Sequence, residues 1–304
     1  MKVTICGKGG CGKSTVTSLL AKALARRGNE VLVIDSDESN YGLHRQLGME
    51  LPGDFTGYFG GKENVLNDMM LSEFTHQFFQ ETWTMKDIPE KYYNLKDGVK
   101  LMVSGKIHQA NEGCSCAMGT VMTQFVQNLR LAENQFALLD MEAGVEHFGR
   151  GIDNGVDLVL MIVDPSYESL QLSKKVGELA ESIGKPFYYV LNKVTEDSRE
   201  MMYENIWRPE QVAVCLGTDP AIMKEGLTGK ELSEKPETIE RLAEFSDFSR
   251  IETGGITCYR NSMRNTAWKC SPIIITLRNI RIWTQRISVG AWEFHMTKIP
   301  GFFS

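Results

Sequence analysis

The residues Gly7-Lys8-Gly9-Gly10-Cys11-Gly12-Lys13-Ser14-Thr15 combine glycines, two lysines and two hydroxyls in one short stretch. Gly7, four intervening residues, then Gly12-Lys13-Ser14 is the spacing of a phosphate-binding loop. Glycines let backbone N–H groups curl around phosphate oxygens. A helix starting at Ser14 would add the favourable end of its dipole. In such a loop Lys13 sits between the β- and γ-phosphates, and the Ser14 hydroxyl reaches Mg²⁺. Thr15 lies within reach of an α-phosphate. The expected ligands are ATP and Mg²⁺, with Gly9, Gly10, Cys11 and Gly12 supplying backbone contacts.

Further groups capable of chemistry stand at the ends of apolar runs. Glu30 to Ile34 leads into Asp35-Ser36-Asp37, Phe136 to Leu139 into Asp140, and Phe187 to Leu191 into Asn192-Lys193. A separate pair, Cys114 and Cys116, follows Glu112-Gly113. Thiols at i and i+2 can point at one ion when the backbone is extended or turned. One such pair is half a tetrahedral site, and two pairs from a symmetric dimer would make Cys₄. Thiolates suit Zn²⁺, Ni²⁺, Cu⁺ or an iron–sulfur cluster, and spacing does not choose among them.

These residues need strands and helices to position them. Lys2 to Cys6 reads as a buried strand. Ser14 to Arg27 has helical spacing of Val16, Leu19, Leu20, Ala23 and Leu24, and Gly28 ends it. With Glu30 to Ile34 this makes a βαβ unit of parallel strands. Further strands are expected at 99–103, 136–139, 158–163 and 187–191, and helices near 118–131 and 169–182. The fold class is α/β, a doubly wound, mostly parallel sheet flanked by helices, with ligands at the carboxyl ends of its strands. Residues 50–95 read as a long insertion with a helix near 64–80.

Composition sets limits. The chain has 304 residues, 42% hydrophobic and 24% charged, as in ordinary globular proteins. A net charge of -6 gives no basic field, so nucleic acid is not an expected partner. No apolar run reaches the length of a membrane span, so none is expected. The segment before the Gly-rich loop is too short for a signal sequence, and a cytoplasmic location is expected. Seven cysteines then read as free thiols or ligands rather than disulfides. The domain expected over residues 1–245 is followed by a tail, 246–304, of different chemistry. From Arg250 onward eight basic residues face two acids, Glu252 and Glu293, with Trp268, Trp283 and Trp292. No function is assigned to it.

The second lysine, Lys8, gives the loop the form Lys-Gly-Gly-x-Gly-Lys-Ser/Thr. That resembles the deviant Walker A motif of the MinD/ParA/nitrogenase iron protein class. The resemblance implies a P-loop NTPase forming a nucleotide-bridged homodimer, with Lys8 crossing to the partner's phosphates and hydrolysis coupled to dimerisation. It also implies that Asp37 orients the attacking water while Asp35 supports the Mg²⁺ shell. Asp140 would hold Mg²⁺ through water, Gly144 would lie near the γ-phosphate, and Asn192 would read the purine edge. The Thr218-Asp219-Pro220 turn would close the base pocket. Lys8, Lys13 and Asp37 are the catalytic candidates, and Ser14, Asp35 and Asp140 the Mg²⁺ candidates.

The deviant loop, Cys114-Ser115-Cys116 and the stretch Asp140-Met141-Glu142-Ala143-Gly144-Val145-Glu146-His147-Phe148-Gly149-Arg150-Gly151 together resemble the CooC-type family. These are ATPases that assist nickel insertion into carbon monoxide dehydrogenase and related enzymes. The likeness covers about residues 1 to 245 and includes Asp164-Pro165-Ser166 and Leu191-Asn192-Lys193-Val194. It implies that Cys114 and Cys116 bind Ni²⁺ or Zn²⁺ at the dimer interface, for delivery to a client metalloenzyme. Two alternatives stay open: a redox protein with a bridging iron–sulfur cluster, and a positioning ATPase of the ParA/MinD type. The adjacency of the two cysteines weighs against the first. The tail's irregular placement of Trp and Pro weighs against the amphipathic helix of the second.

Overall fold

The apolar run Lys2–Gly7 forms strand β1, and in the computed structural model every residue but the first of it is buried. Glu30–Asp35 (β2), Gln135–Asp140 (β5) and Leu158–Val163 (β6) are equally apolar and buried along their lengths. Strands that read as continuous apolar runs belong inside a parallel sheet covered on both faces. The sheet also contains Asn94–Lys96 (β3), Val99–Val103 (β4), Phe187–Val194 (β7) and Val212–Gly217 (β8), in the order β3-β4-β2-β5-β1-β6-β7-β8. All neighbours are parallel except β3 against β4. The described residues are 1–107, 116–233 and 235–245, together with three strands further on. Side chains are described as far as 244, that of Cys116 excepted.

The first connection leaves β1, forms helix α1 (Lys13–Arg26) and returns as β2, skipping the place that β5 later fills. The chain then works outward on one side and crosses to the other at β6. The topological switch point therefore lies at the carboxyl end of β1, where such sheets open a ligand crevice. α1 buries Val16, Leu19, Leu20, Ala23 and Leu24 and ends at Gly28, whose φ of +86° suits a residue without a side chain. Seven further helices of the first compact unit are α2 (Leu43–Gln46), α3 (Lys62–Leu71), α4 (Cys116–Asn128), α5 (Glu146–Arg150), α6 (Tyr167–Ser182), α7 (Glu196–Asn205) and α8 (Pro220–Thr228). An eighth, α9 (Glu237–Phe245), packs on α1.

The doubly wound, mostly parallel sheet is the fold expected from the sequence, with differences in detail. The insertion helix stops at Leu71 rather than near 80, because Glu73 and Phe74 take left-handed backbone conformations (φ +51° and +63°). The chain beyond instead feeds an aromatic cluster. Phe55, fully buried, meets the rings of Phe79, Trp83, Tyr92 and Phe125 of α4 at centroid distances of 5.2–6.3 Å. This cluster fastens the insertion to the sheet's helical layer. Strands β3 and β8 and helices α2, α5 and α7 to α9 carry no expectation from the sequence. Thr218-Asp219-Pro220 is the start of α8: the Asp219 carboxylate accepts from the N–H groups of Ala221 and Ile222, with Pro220 in the first turn.

The chain divides into two compact units, Met1–Ser246 and Asp247–Ser304. The second contains a three-stranded antiparallel sheet of Ile274–Leu277 (β9), Ile280–Trp283 (β10) and His295–Met296 (β11). Trp268 and Trp292 lie outside the described residues. Among the described residues no helix is long and apolar enough to cross a membrane.

Candidate functional site

β1 delivers the chain to a loop that can close only on glycine. Gly10 (φ +75°) and Gly12 (φ +103°) are left-handed. A Cβ on Gly12 would stand 2.3 Å from Asn192 Nδ2, and one on Gly7 would stand 2.4 Å from the Ile162 carbonyl oxygen. The loop therefore lies directly on the ends of β6 and β7. Cys11 N–H donates to the Lys8 carbonyl (3.2 Å) and draws the loop into a turn. The thiol of Cys11 is fully buried, and burial pushes it up to about 11, so it stays protonated. Cys11 contributes backbone only.

Helix α1 starts at Gly12 with no side-chain cap and no acid in its first turn. Its first N–H groups have no partner within the helix. They face an open cleft of about 660 Å³ lined by Gly9, Gly10, Gly12, Lys13, Ser14 and Thr15. Orphan donors, a helix dipole and a lysine around a cleft of that size fit a polyphosphate. The cleft's other walls are Asp37 to Asn40 after β2, Gln46, and Glu142 with Ala143 after β5.

Beneath the cleft Asp140 is fully buried at the end of β5. Its Oδ2 accepts from the Ser14 hydroxyl (2.6 Å) and its Oδ1 from the Thr17 hydroxyl (3.1 Å). Asn40 Nδ2 donates to Ser14 Oγ (2.6 Å). Burial pushes Asp140 up to about 6, while Ser14, Lys13 and Thr17 pull the other way. A hydroxyl and a carboxylate 2.6 Å apart at the mouth of a phosphate loop are hard oxygen donors that suit Mg²⁺, which takes one or two protein ligands and phosphate oxygens.

The other expected residues fall into four groups. Lys13 lines the cleft and is nearly buried. Asp37 also lines it, and its Oδ1 accepts from Ser39 N–H (3.0 Å) and Ser39 Oγ (2.6 Å). Lys8 and Asn192 are nearby but otherwise engaged. Lys8 Nζ donates to Ser166 Oγ (3.0 Å) with Glu168 at 3.8 Å. Asn192 Nδ2 donates to the Cys11 carbonyl (2.8 Å), and Lys193 Nζ to the Gly10 carbonyl (2.7 Å), so both brace the loop. Asp35 is buried beneath the cleft. Its Oδ2 meets Lys106 Nζ at 2.6 Å and its Oδ1 accepts from Asp37 N–H (3.1 Å), so both oxygens are occupied. Burial pushes the Asp35 carboxyl up, and Lys106 pulls it back. Cys114 lies outside the described residues, as does His108, and of Cys116 only the backbone is described, as the first residue of α4. Among the described residues no group of three or more His, Cys, Asp or Glu could hold a metal ion.

Several residues at the site gave no sequence signal. Asn40 and Thr17 complete the polar network around Ser14 and Asp140. Glu38 is 8% exposed, and among the described residues its Oε2 has no hydrogen-bond partner. Burial, then a hydrogen bond with Glu38, pushes Glu142 up to about 7. Lys106 is fully buried. Only their positions just past strand ends could have marked Glu38 and Lys106.

Comparison with known proteins agrees with this geometry. Residues 2–232 match the family model described as the CobQ/CobB/MinD/ParA nucleotide binding domain. An uncharacterized ATP-binding protein of Methanocaldococcus jannaschii is 42% identical over 246 residues, 80% of this chain and 98% of that one. The carbon monoxide dehydrogenase accessory protein CooC of Rhodospirillum rubrum is 33% identical over 202 residues, 64% of this chain and 74% of that one. Among solved structures, the septum site-determining protein MinD of Pyrococcus horikoshii, complexed with Mg-ADP, superposes with a TM-score of 0.59 at 18% identity. That match covers 81% of this chain and 95% of the other. The loop, the strand order and these matches agree: the chain belongs to the CobQ/CobB/MinD/ParA nucleotide-binding family.

Proposed function

We propose that this protein is a cytosolic, dimerising ATPase that acts as a metallochaperone, carrying nickel to carbon monoxide dehydrogenase or a related metalloenzyme. The observation that carries the ATPase half is the Ser14–Asp140 contact under an uncapped, glycine-built helix start. Lys13 would hold the β- and γ-phosphates, and Asp37 would orient the attacking water across the cleft. Ser14 and Asp140 would hold Mg²⁺, with Asp35 supporting them from below. Mg²⁺ bound there neutralises charge developing on the transferred phosphoryl group. Lys8 would leave Ser166 and cross to the partner subunit's nucleotide, which makes hydrolysis depend on the dimer. Asn192 would leave the Cys11 carbonyl and turn its amide to the purine edge.

The cargo half rests on Cys114 and Cys116 in a chain 33% identical to a carbon monoxide dehydrogenase accessory protein. One pair from each protomer would bind a single Ni²⁺ or Zn²⁺ as cargo. ATP and metal would each favour the closed dimer, so their binding would be linked. Hydrolysis would open the dimer and release the metal to the client. The ATPase domain is residues 1–245, and no role is assigned to 246–304.

The test is metal content and oligomeric state with and without ATP, for the wild type, Lys8→Ala and Cys114→Ser/Cys116→Ser. The expected result is one ion per dimer, lost in the cysteine variant, and an ATP-dependent dimer, lost in the lysine variant. Unchanged metal stoichiometry in the cysteine variant would remove the cargo assignment. A persistent dimer in Lys8→Ala would remove the trans role of that lysine.

A further inference from the structure

Asp37 belongs to a short segment, 36–41, that leaves the carboxyl end of β2 and is neither helix nor strand. No ladder of backbone bonds fixes such a segment, so other groups must. Ser36 N–H donates to the Asp140 carbonyl (3.0 Å) and Asp37 N–H to Asp35 Oδ1 (3.1 Å). Asn40 N–H donates to the Asp37 carbonyl (3.2 Å) and closes a turn. Both ends of that turn are gripped by one side chain. Lys106 is 0% exposed, and its ammonium donates to Asp35 Oδ2 (2.6 Å), the Asp37 carbonyl (2.5 Å) and the Asn40 carbonyl (2.6 Å). An ammonium has three N–H donors, and all three go to this stretch of chain.

The main chain of Lys106 is itself anchored. β4 lies beside β2, with Val103 opposite Asp35. Ser104 N–H donates to the Asp35 carbonyl (2.9 Å), and Thr56 N–H donates to the Ser104 carbonyl (3.2 Å). The ammonium of Lys62, on α3, donates to the Lys106 carbonyl. Ile107 N–H donates to the Glu38 carbonyl (3.3 Å), and Tyr41 Oη to the Ile107 carbonyl (2.5 Å). The sheet and α3 therefore fix Lys106, and Lys106 fixes the turn. Any shift of the segment is a rotation about this ammonium, with residues 37 and 40 moving together.

The turn presents two groups to the site. Asp37 lines the nucleotide cleft, and Asn40 Nδ2 donates to Ser14 Oγ (2.6 Å). Lys106, fully buried, acts only through the turn. Asp35 serves the same turn, with one oxygen on Lys106 and the other on Asp37 N–H. A lysine is a poor choice for mere packing at this place. Burying an ion pair costs desolvation, and an apolar pair of similar volume is often as stable. What the ammonium supplies is direction: three acceptors held around one point.

We infer that Lys106 is a positioning residue for ATP hydrolysis, holding the turn 37–40 so that the Asp37 carboxylate stands at the attacking water. The inference rests on the ATPase half of the function proposed above. Lys106 touches no reactant. Its loss therefore slows the chemical step and leaves nucleotide binding, which belongs to the phosphate loop, in place.

The experiment compares the full chain with Lys106→Met, Lys106→Met/Asp35→Asn, Asp37→Asn and Lys106→Met/Asp37→Asn. The Asp35→Asn pairing leaves no unpaired buried carboxylate, which guards against misfolding of Lys106→Met alone. Phosphate release is measured at saturating ATP, Mg²⁺ and protein, so that weaker dimerisation does not enter kcat. Calorimetry gives the ADP affinity and the fraction of competent sites. A misplacement on the order of an ångström costs about a hundredfold in rate. Lys106→Met, alone or with Asp35→Asn, should lower kcat by about that factor, with KM for ATP and ADP affinity within about threefold of wild type. Residues that act as one unit are not additive, so Lys106→Met should slow Asp37→Asn by no more than about threefold. A wild-type kcat in either folded lysine variant overturns the inference. So does a further loss of about a hundredfold on top of Asp37→Asn, since Lys106 would then act apart from Asp37. A loss confined to the fraction of competent sites or to ADP affinity, or failure of both lysine variants to fold, marks a structural role and overturns it as well. If the wild type does not hydrolyse ATP, the ATPase reading itself falls; if Asp37→Asn is as fast as wild type, the role given to Asp37 falls. Either takes this inference with it.

Discussion

Ser166→Gly tests whether Lys8 is held in reserve. Lys8 Nζ lies 3.0 Å from Ser166 Oγ, and the lysine side chain is 36% exposed. A hydrogen bond to a charged group contributes about 1.5–3 kcal/mol when water is excluded. Partial exposure lowers that to about 1 kcal/mol. The Glu168 carboxylate at 3.8 Å is 73% exposed and adds little. If each Lys8 must leave its own protomer to reach the partner subunit's phosphates, both tethers oppose dimerisation. Removing both then favours the ATP-bound dimer by about 2 kcal/mol, roughly thirtyfold in the dimer dissociation constant. Ser166 also caps α6 by accepting from Ser169 N–H. Glycine is chosen because at an N-cap it costs only a few tenths of a kcal/mol relative to serine. Sedimentation equilibrium with Mg²⁺ and a non-hydrolysable ATP analogue measures the constant, with Glu168→Gln as the near-neutral control. A dissociation constant unchanged or weaker in Ser166→Gly would refute the reasoning, because Lys8 would then keep its tether in the dimer.

Gly12→Ala should lower ATP affinity at least about tenfold in calorimetric titration. Its Cβ would stand 2.3 Å from Asn192 Nδ2 at a φ of +103°, a strain on the order of 1–3 kcal/mol. Asp140→Asn should keep nucleotide binding within a few fold and lower Mg²⁺-dependent phosphate release on the order of a hundredfold, as loss of one preorganised charge contact does. Phe55→Ala, which empties the fully buried centre of the ring cluster, should cost about 3–5 kcal/mol in urea unfolding. His147→Gln should flatten the acid limb of stability. Burial, then Arg150 and Lys13, hold His147 down at about 3, so the unfolded chain takes up a proton below about pH 6.5 that the folded chain refuses. That contribution is complete above pH 6.5 and is lost as pH falls toward 3; it amounts to about 2 kcal/mol at pH 5. Asp153, pushed up to about 6 by burial, acts with the opposite sign in both proteins. Urea midpoints at pH 7 and pH 5 therefore should fall further in the wild type than in His147→Gln.

The sequence made legible whatever is local. The phosphate loop is contiguous, so spacing alone identified Gly12, Lys13 and Ser14. The inner strands are unbroken apolar runs, and the parallel sheet followed from them. Asp140 was legible because a run ended in it. Other features depend on partners far away in the chain. Lys106 looks like an ordinary loop lysine until β4 is placed beside β2, and only then does Asp35 face it. Asn192 was legible as a strand-end amide, but its contact with the Cys11 carbonyl depends on how closely β7 approaches the loop. The end of α3 at Leu71 was hidden because neither Glu73 nor Phe74 advertises a left-handed backbone. Asp219-Pro220 looked like a turn because capping and turn chemistry use the same residue types.

Five of the buried polar groups have one feature in common: they lie at or just beyond the carboxyl ends of β2, β4 and β5. Asp35, Asp140, Glu38, Lys106 and His147 are all nearly inaccessible. Each costs more to bury than an apolar side chain of its size, and a fold selected only for stability would lack most of them. The innermost of them, beneath the cleft, are fully hydrogen-bonded, as Asp140 is by Ser14 and Thr17. Those one layer out are not: among the described residues Ser36 Oγ, Glu38 Oε2 and His147 Nε2 have no hydrogen-bond partner. A satisfied inner layer fixes the geometry that receives phosphate. An unsatisfied outer layer has little to lose by rearranging, since its hydrogen bonds are not yet made. Movement on nucleotide binding should therefore concentrate in the segments 36–41 and 142–150, while β1, β2 and β5 stay fixed. Hydrogen exchange with and without Mg²⁺ and the ATP analogue would show this as protection changes confined to those two segments. Changes spread evenly through the sheet would mean that the strain is stored in the strands themselves and not in the polar layer around them.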